Sequence, residues 1–273
     1  MNRTSTGGPP KPDTSYFDRR SATYDRDEVH HRVVSLLLAA ADIRPGSRVL
    51  DVATGTGILA LAVAPGVGPT GQVVGVDISP GMLAEARRKA ADVGVRNIDF
   101  VLADAERLHF PDRSFDQIFC ASSLVLMSDI PRALRHWCDL LRPGGGIAFD
   151  TPARPFGLSQ MIAESAAGHG VRLAYADVAD TPGKCRRLLE AAGFEVVAVR
   201  TERAAATPVA LDAAIAFWDS RLDHPAWQAL RQSSPATRDA VRSDYIGRVT
   251  AAAVGGYVPN DTALNIAAGR KPA

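Results

Sequence analysis

The sequence contains little of what marks several specialised protein classes. Its three cysteines, Cys120, Cys138 and Cys185, are far apart and form no C-x-x-C pair, which argues against a disulfide framework and against a zinc site. The 31 lysines and arginines are balanced by 30 aspartates and glutamates, so no excess of one charge favours nucleic acid or a membrane surface. The longest apolar run, ILALAVA, is shorter than the ~20 residues that cross a bilayer.

These absences make the cytoplasm the expected location and a small molecule the expected partner. We expect no nucleic acid, no membrane and no metal, and the sequence leaves a homo-oligomer open. The first 15 residues are polar and rich in Gly and Pro, which predicts a disordered tail rather than a signal peptide. Residues 16–273 are expected to form a single domain, because 46% apolar residues suffice for a sizeable core.

Short apolar runs alternate with helical patterns along the chain. Runs typical of buried strands are RVLDVAT, GQVVGVDI, NIDFVLAD, FDQIFCAS, GIAFDTP and FEVVAVRTE, and TALNIAAGRK is a candidate closing strand. The clearest helix is SPGMLAEARRKAADVG, with Ser79 as its N-cap, Pro80 in its first turn and Gly94 beyond its end. Strict alternation predicts an α/β fold with a doubly wound, Rossmann-like parallel sheet.

Two segments, residues 153–180 and 205–256, interrupt this alternation. Loops longer than about 12–15 residues in a compact domain usually have a function. We expect both segments to form a helical cap over the carboxyl ends of the strands, where open α/β sheets bind ligands. Phe156, Trp218 and Tyr245 are the candidate acceptor-binding residues, although most large apolar side chains there should form the core of the cap.

A glycine turn, DVATGTGILA at residues 51–60, follows the first strand. Its GTGILA part satisfies the dinucleotide fingerprint G-x-G-x-x-G/A, so NAD is one candidate ligand. Gly55 and Gly57 let a ligand approach the backbone, and the next helix presents free N–H groups. Asp51, four residues ahead of Gly55, would repel a pyrophosphate but suits a cation such as the α-ammonium of a methionine moiety. A purely local capping role for Asp51 is the alternative.

Two further aspartates end strands. Asp77 lies twenty residues after Gly57 and can accept both hydroxyl groups of a ribose, in NAD as in other nucleosides. Asp104 can accept an adenine amino group, with the N–H of Ala105 available for a ring nitrogen. Aspartates at strand ends also often only shape turns, so Asp104 is the weaker indication of the two.

Four motifs, VLDVATGTG, VVGVDIS, FVLADAERLHFPDRSFDQIFCAS and LLRPGGGIAF, occur in one order and spacing. Together they resemble the class I S-adenosylmethionine-dependent methyltransferases, most of all the branch with the ubiquinone and menaquinone biosynthesis enzymes and small-molecule methyltransferases of secondary metabolism. The resemblance covers residues 16–202. It implies a seven-stranded sheet whose last strand is antiparallel and S-adenosylmethionine as cofactor. The implied cofactor contacts are Tyr24, Asp51, Ala53, Gly55, Thr56, Gly57, Asp77, Ile78, Met82, Asp104, Ala105 and Ser122.

The leading hypothesis is therefore methyl transfer to a carbon or oxygen atom of a small organic acceptor, in secondary or quinone-type metabolism. The alternatives are an NAD-dependent oxidoreductase and a protein of this fold that binds the cofactor without transferring a methyl group. The chain has ASSLVLM where enzymes that methylate nucleic-acid bases carry Asp/Asn-Pro-Pro-aromatic, and Asp129 alone where metal-dependent catechol-type enzymes need several carboxylates. No catalytic residue is assigned; His169 and His224 are the candidate bases, and ordinary surface positions are the alternative for both.

Overall fold

Seven strands form one mixed sheet around which the rest of the chain is arranged. The computed structural model describes residues 14–173 and 179–273. The strands are β1 (Arg48–Val52), β2 (Gln72–Asp77), β3 (Ile98–Leu102), β4 (Phe115–Cys120), β5 (Leu141–Phe156), β6 (Glu195–Ala205), the short pair β7 (Val209–Ala210) and β8 (Tyr257–Val258), and β9 (Thr262–Arg270). The pair β7–β8 forms a separate two-stranded sheet.

The order of the large sheet is β3-β2-β1-β4-β5-β9-β6. Strands β1 to β5 pair in parallel, whereas β9 runs antiparallel to both of its neighbours, β5 and β6. The expected seven-stranded sheet with an antiparallel last strand is therefore confirmed. The order reverses between β1 and β4, and ligands of doubly wound sheets bind at the carboxyl ends of the strands beside such a reversal.

The described helices are α1 (Ser15–Arg20), a 3₁₀ turn (Ser21–Arg26), α2 (Glu28–Leu38), α3 (Ile58–Val67), α4 (Pro80–Asp92), α5 (Ile130–Leu140), α6 (Gly157–Gly168), α7 (Pro182–Ala191), α8 (Leu211–Arg221), α9 (Gln228–Arg231) and α10 (Pro235–Ala252). Local sequence sets the ends of α4 as predicted. The Ser79 hydroxyl accepts the N–H of Met82, and Gly94 has a φ of 69° beyond the helix.

Helices cover both faces of the sheet, and this explains the continuous apolar runs of its strands. Val49 and Leu50 are neighbours in β1 and both are completely buried. Val49 belongs to the core that includes Leu37 of α2 and Leu59 of α3. Leu50 belongs to the opposite core, which includes Trp137 of α5. Successive side chains of a strand point to opposite faces, so a parallel strand covered on both sides has no polar face.

The N-terminal elements lie against the glycine turn and α4, where the sequence analysis had expected only Tyr24. Asp18 of α1 accepts the N–H of Gly81 at 2.8 Å. Asp25, in the 3₁₀ turn, accepts hydrogen bonds from Thr56 and Lys89. The first 13 residues of the predicted tail lie outside the described residues, and α1 begins within the last part of that tail.

The two cap segments share one core that is separate from the two cores of the sheet. Leu158 and Ile162 of α6 pack with Trp218, Trp227 and Tyr245 from the second segment. The Trp218 ring centroid lies 6.2 Å from that of Trp227 and 5.9 Å from that of Tyr245. The pattern of large apolar side chains in both segments therefore reflects, in large part, packing of one segment on the other.

Two predicted boundaries are corrected. Residues 153–156, assigned to the first cap segment, belong to β5, because β9 pairs with β5 along its length. The strand expected over GIAFDTP begins earlier, because β5 starts at Leu141 and includes the glycines of LLRPGGGIAF, where its register with β4 shifts between Phe115 and Gln117. Within the described residues, no helix is both long enough and apolar enough to cross a membrane.

Candidate active site

Residues that follow β1 and β4, at the carboxyl edge of the sheet, have strained backbone conformations. Ala53, Gly55, Gly57 and Ser122 all have left-handed φ values, of 55°, 55°, 77° and 53°. This conformation is uncommon for residues with a Cβ atom and persists where the surroundings enforce it, often at functional sites. At Ser122 the enforcing contact is a 2.6 Å hydrogen bond from its N–H to the Asp150 carboxylate.

Asp51 is buried at the end of β1 with half of its carboxylate unsatisfied. Its Oδ2 atom accepts the hydroxyl of Thr54 at 2.6 Å and the N–H of Ala60 at 3.1 Å. Its Oδ1 atom is buried and has no hydrogen-bond partner within the described residues. Burial raises the pKa of Asp51 to about 7, against the lowering effect of these two hydrogen bonds.

The unsatisfied Oδ1 atom is what a positively charged ligand would require. A buried polar atom without a partner costs about 1–3 kcal/mol, and a bound ammonium group would remove that cost and neutralise the charge. The local capping alternative for Asp51 accounts for the Oδ2 atom, through the N–H of Ala60 in α3, but leaves the Oδ1 atom unexplained. The residues present therefore fit an aminoacyl ligand with a free α-ammonium.

Asp77 organises the glycine turn from the end of β2. Its carboxylate accepts the N–H of Gly55 and the N–H of Ser79, both at 2.8 Å. Burial raises its pKa, while these backbone hydrogen bonds lower it. A carboxylate offers about four acceptor positions, so hydroxyl groups of a ribose can still bind there.

Gly57 is kept free of a side chain by the close packing beneath the turn. A Cβ atom at Gly57 would lie 3.0 Å from the ring of Phe100 and 3.1 Å from the Cβ atom of Ala86. The turn therefore needs glycine at this position both for its φ value and for space.

The remaining predicted cofactor residues lie farther along the same edge. Asp104 follows β3, accepts the N–H of Glu106 at 2.9 Å, and its side chain is 36% exposed. The Ala105 carbonyl accepts the indole N–H of Trp137. The side chain of Met82 is 2% exposed in the first turn of α4, and Ile78 directly follows β2. These positions are where an adenine and ribose would be expected, and their roles stay predictions.

An Asp77→Ala variant is expected to bind S-adenosylmethionine about 1.5–3 kcal/mol more weakly, or roughly 10- to 150-fold, because a charged acceptor for hydroxyl groups is lost. Titration calorimetry checks the affinity. Asp99→Ala, at an exposed position of β3, is the control and should bind like the unmodified protein. An unchanged dissociation constant in folded Asp77→Ala would show that the ribose binds elsewhere.

Two cavities meet at this edge. The smaller, of about 30 Å³, is lined by Asp51, Ala53, Gly55, Thr56 and other residues of the turn. The larger, of about 420 Å³, lies between the strand ends, the cap and the N-terminal elements. Tyr24, His30 and Ser122 line both cavities. The Tyr24 and His30 rings are stacked with centroids 4.1 Å apart, so this pair forms part of the boundary between the two spaces.

Of the predicted acceptor residues, one lines the larger cavity and two lie in the core of the cap. Phe156 lines the larger cavity. Trp218 and Tyr245 are not among the residues that line it; they are 3% and 0% exposed in the cap core, where the Tyr245 hydroxyl donates to the Ala214 carbonyl. Of the two candidate bases, His224 lines the cavity, whereas His169 is exposed at the end of α6.

Sequence reasoning missed Asp150, a buried carboxyl group on the wall of the larger cavity. Asp150 lies on β5 and is 3% exposed. Burial raises its pKa to about 7, against the lowering effect of the hydrogen bond from Ser122. An aspartate within the apolar run of a buried strand, as at Asp51 and Asp77, was present in GIAFDTP and could have indicated Asp150.

The strand order and the acidic strand ends differ from those expected of a dinucleotide-binding enzyme. The order expected for a dinucleotide fold is 3-2-1-4-5-6 in parallel, without an antiparallel strand inserted beside the fifth. Residues 49–145 match the family described as a methyltransferase domain. The matched segment runs from β1 to the start of β5, and this match supports a class I S-adenosylmethionine-dependent methyltransferase with S-adenosylmethionine as cofactor.

Named relatives support this assignment. Aklanonic acid methyltransferase DauC of Streptomyces sp. (strain C5) is 40% identical over 51% of this chain and 64% of its own length. The ubiquinone/menaquinone biosynthesis C-methyltransferase UbiE of Ectopseudomonas mendocina (strain ymp) is 45% identical over 41% of this chain and 46% of its own length. The nocamycin O-methyltransferase of Saccharothrix syringae is 29% identical over 89% of this chain and 92% of its own length. The matched part of the chain thus spans less than two-thirds of the length of the first two relatives.

Solved structures share the fold. The YcgJ protein from Bacillus subtilis superimposes with a TM-score of 0.61 at 22% identity, over 89% of this chain and all of its own. The [4+2]-cyclase SpnF superimposes with a TM-score of 0.57 at 24% identity, over 88% of this chain and 80% of its own. Because a cyclase has this fold, the fold alone does not establish methyl transfer.

Proposed function

We propose that the protein transfers a methyl group from S-adenosylmethionine to a carbon or oxygen atom of a small, largely apolar molecule in secondary or quinone-type metabolism. The larger cavity carries this proposal, because it adjoins the Asp51 cavity at Tyr24, His30 and Ser122. The names of the relatives agree: they act on aklanonic acid, in ubiquinone and menaquinone biosynthesis, and as an O-methyltransferase of nocamycin. A cytoplasmic location stays a prediction.

The cavity wall suits an apolar acceptor of moderate size. Apolar wall residues come from the cap, the strand ends and α1, and include Phe17, Val125, Leu126, Phe156, Leu158, Phe217, Trp227 and Leu264. Its volume of about 420 Å³ is within the range of small-molecule sites. We infer that the cap excludes water and holds the acceptor against the strand ends. Alignment of the acceptor with the methyl group of the cofactor there would supply much of the rate acceleration.

S-adenosylmethionine, when bound, supplies a methyl group on a positively charged sulfur, which becomes a neutral leaving group. The chain's own part is to hold the cofactor through Asp51, Asp77 and Asp104 and to orient the acceptor. A proton acceptor is needed only where the acceptor must lose a proton on methylation.

Asp150 is better suited to accept that proton than either histidine. The Nδ1 atom of His224 accepts the N–H of Ala226 at 3.1 Å, so the neutral ring carries its proton on Nε2 and can only donate there. Burial lowers the pKa of His224 to about 3. Asp150, in contrast, lines the cavity with a pKa raised to about 7, close to the value at which general bases work best at neutral pH.

The proposal is tested with S-adenosylmethionine that carries a deuterated methyl group. The protein is incubated with hydroxylated aromatic polyketides, quinols and simple amines, and products are identified by mass spectrometry. We expect label on a carbon or oxygen atom of an aromatic acceptor. Label on amines alone would contradict the proposed atom type. Tight cofactor binding without transfer to any acceptor, or to components of a cell extract, would favour the non-methylating alternative.

Substitutions at Phe156 and Trp218 are expected to have different effects. Phe156→Ala should raise the KM of the acceptor by about tenfold, or ~1.4 kcal/mol, because apolar wall is lost, and should leave cofactor affinity nearly unchanged. Trp218→Ala should instead lower stability by about 3–5 kcal/mol, since it empties the cap core. Steady-state kinetics and thermal melting separate the two. A wild-type KM in Phe156→Ala would exclude this side chain from the acceptor site.

A further inference from the structure

Two arginines of the larger cavity have no carboxylate partner in the described parts of the chain. Arg20 of α1 and Arg221 of α8 both line this cavity. Their guanidinium groups donate to one shared atom, the hydroxyl oxygen of Tyr16, at 2.7 Å and 3.3 Å. Tyr16 is 5% exposed and, as a phenol, neutralises neither charge. Two positive charges therefore lie side by side in a mainly apolar cavity.

Aromatic rings hold both guanidinium groups in place. Arg20 lies over the rings of Tyr16 and Tyr24, at 5.3 Å and 5.7 Å from their centroids. Arg221 lies 5.0 Å from the centroid of Phe217. These contacts orient the planar groups. Each guanidinium has five N–H donors, and the hydroxyl of Tyr16 accounts for one on each, so both retain donors for a ligand.

The other arginines of the second cap segment have partners, which sets Arg221 apart. Arg231 and Arg238 donate to backbone carbonyls within the cap. Arg242 lies 3.9 Å from Asp219, and Arg248 pairs with Asp244 at 3.1 Å and Glu164 at 3.6 Å, which is the ordinary arrangement of a solvated helix face.

The other titratable groups of the cavity form no ion pair with the two arginines in the described chain. Asp27 accepts the N–H of Val29, and Asp150 accepts the N–H of Ser122, but neither forms an ion pair with the arginines in the described chain. His30 and His224 also line the cavity. Burial lowers their pKa values to about 4 and about 3, so both are neutral at physiological pH.

We propose that Arg20 and Arg221 together bind a carboxylate group of the acceptor, so that the substrate class is an aromatic or polycyclic carboxylic acid. This inference rests on the proposed function and adds the chemical class of the acceptor. The planar forks of two arginines match a carboxylate, and hydrogen bonds between charged groups are stronger where water is excluded. A carboxylate between them would also remove the repulsion between two like charges.

The test compares a matched acid and amide. Protein saturated with S-adenosylhomocysteine is titrated by calorimetry with anthraquinone-2-carboxylate and with anthraquinone-2-carboxamide, which differ in charge and hardly in size. We expect the acid to bind at least tenfold more tightly, as for hydrogen bonds to a charged group. Arg20→Gln and Arg221→Gln should each remove about tenfold of the affinity for the acid and leave that for the amide unchanged. Arg242→Gln, outside the cavity, is the control and should match the unmodified protein.

Three results would overturn the inference: no binding of the acid, equal binding of acid and amide, or unaltered binding of the acid by both glutamine variants. Because the variants are separate substitutions on different helices, failure of one to fold leaves the other to decide. The measurement needs no turnover. If the protein prefers the acid but methylates nothing, the carboxylate site is supported and the proposed function is contradicted. If the protein methylates acid and amide equally, the proposed function is supported and the carboxylate site is contradicted.

Discussion

An Asp150→Asn variant is expected to lower kcat for methyl transfer by about 10²–10⁴-fold, the usual contribution of a general base, with little change in cofactor affinity. The asparagine oxygen can still accept the N–H of Ser122, which now binds the Asp150 carboxylate at 2.6 Å, so the strained backbone at Ser122 keeps its support. What the variant loses is the capacity to take a proton from the acceptor.

The pH dependence separates this role from a structural one. The pKa of Asp150 is raised to about 7 by burial, and a base must be ionised, so kcat of the unmodified protein should rise with pH through about 7 and then level off. In Asp150→Asn this rise should disappear. Asp112→Asn, at an exposed loop position, is the matched control and should keep it. A folded Asp150→Asn protein with normal kcat and an unaltered pH profile would refute the assignment.

Asp51→Asn is expected to weaken binding of S-adenosylmethionine by about 1.5–3 kcal/mol, or roughly 10- to 150-fold, through loss of the charge opposite the α-ammonium. The unmodified protein must release a proton from Asp51 to bind a cation there, because burial raises the pKa of Asp51 to about 7. Its affinity should therefore rise with pH, by up to about tenfold per pH unit below this pKa. The variant should lack this dependence, as titrations between pH 5.5 and about 7.5 would show.

The same substitution is expected to stabilise the ligand-free protein at neutral pH. A carboxyl group whose pKa is higher in the folded chain than its ordinary 3.8 contributes most to stability at low pH, and this contribution is lost as pH rises through about 7. The advantage of Asp51→Asn in unfolding free energy should thus grow from pH 4 to about 7, by up to about 1.4 kcal/mol per pH unit. Melting temperatures of both proteins, measured across this range, should diverge accordingly. For the affinity prediction, equal binding of S-adenosylmethionine by Asp51→Asn and by the unmodified protein would show that the α-ammonium does not bind at Asp51.

The glycine turn and the aspartates at the ends of β1 and β2 could be predicted from local sequence because their determinants are local. A strand covered on both faces needs a continuous apolar run, so the strands were visible, and the aspartates that end β1 and β2 could be placed at one edge. Ser79 and Gly94 set the ends of α4 within one turn of themselves. The run TALNIAAGRK indicated β9 as a candidate strand, whereas its antiparallel direction followed only from the family resemblance of four motifs.

The acceptor half was decided by tertiary structure, because its contacts join distant parts of the chain. Periodicity identifies an apolar helix face but not what covers it, so Phe156 and Trp218 were indistinguishable as a cavity wall and a core residue. Arg221 meets Tyr16 across 205 residues of sequence, and Ser122 meets Asp150 across 28. The raised pKa of Asp150, and the lack of an ion pair at Arg221 among the described residues, depend on burial and neighbours that only the packed helices, strands and cap supply.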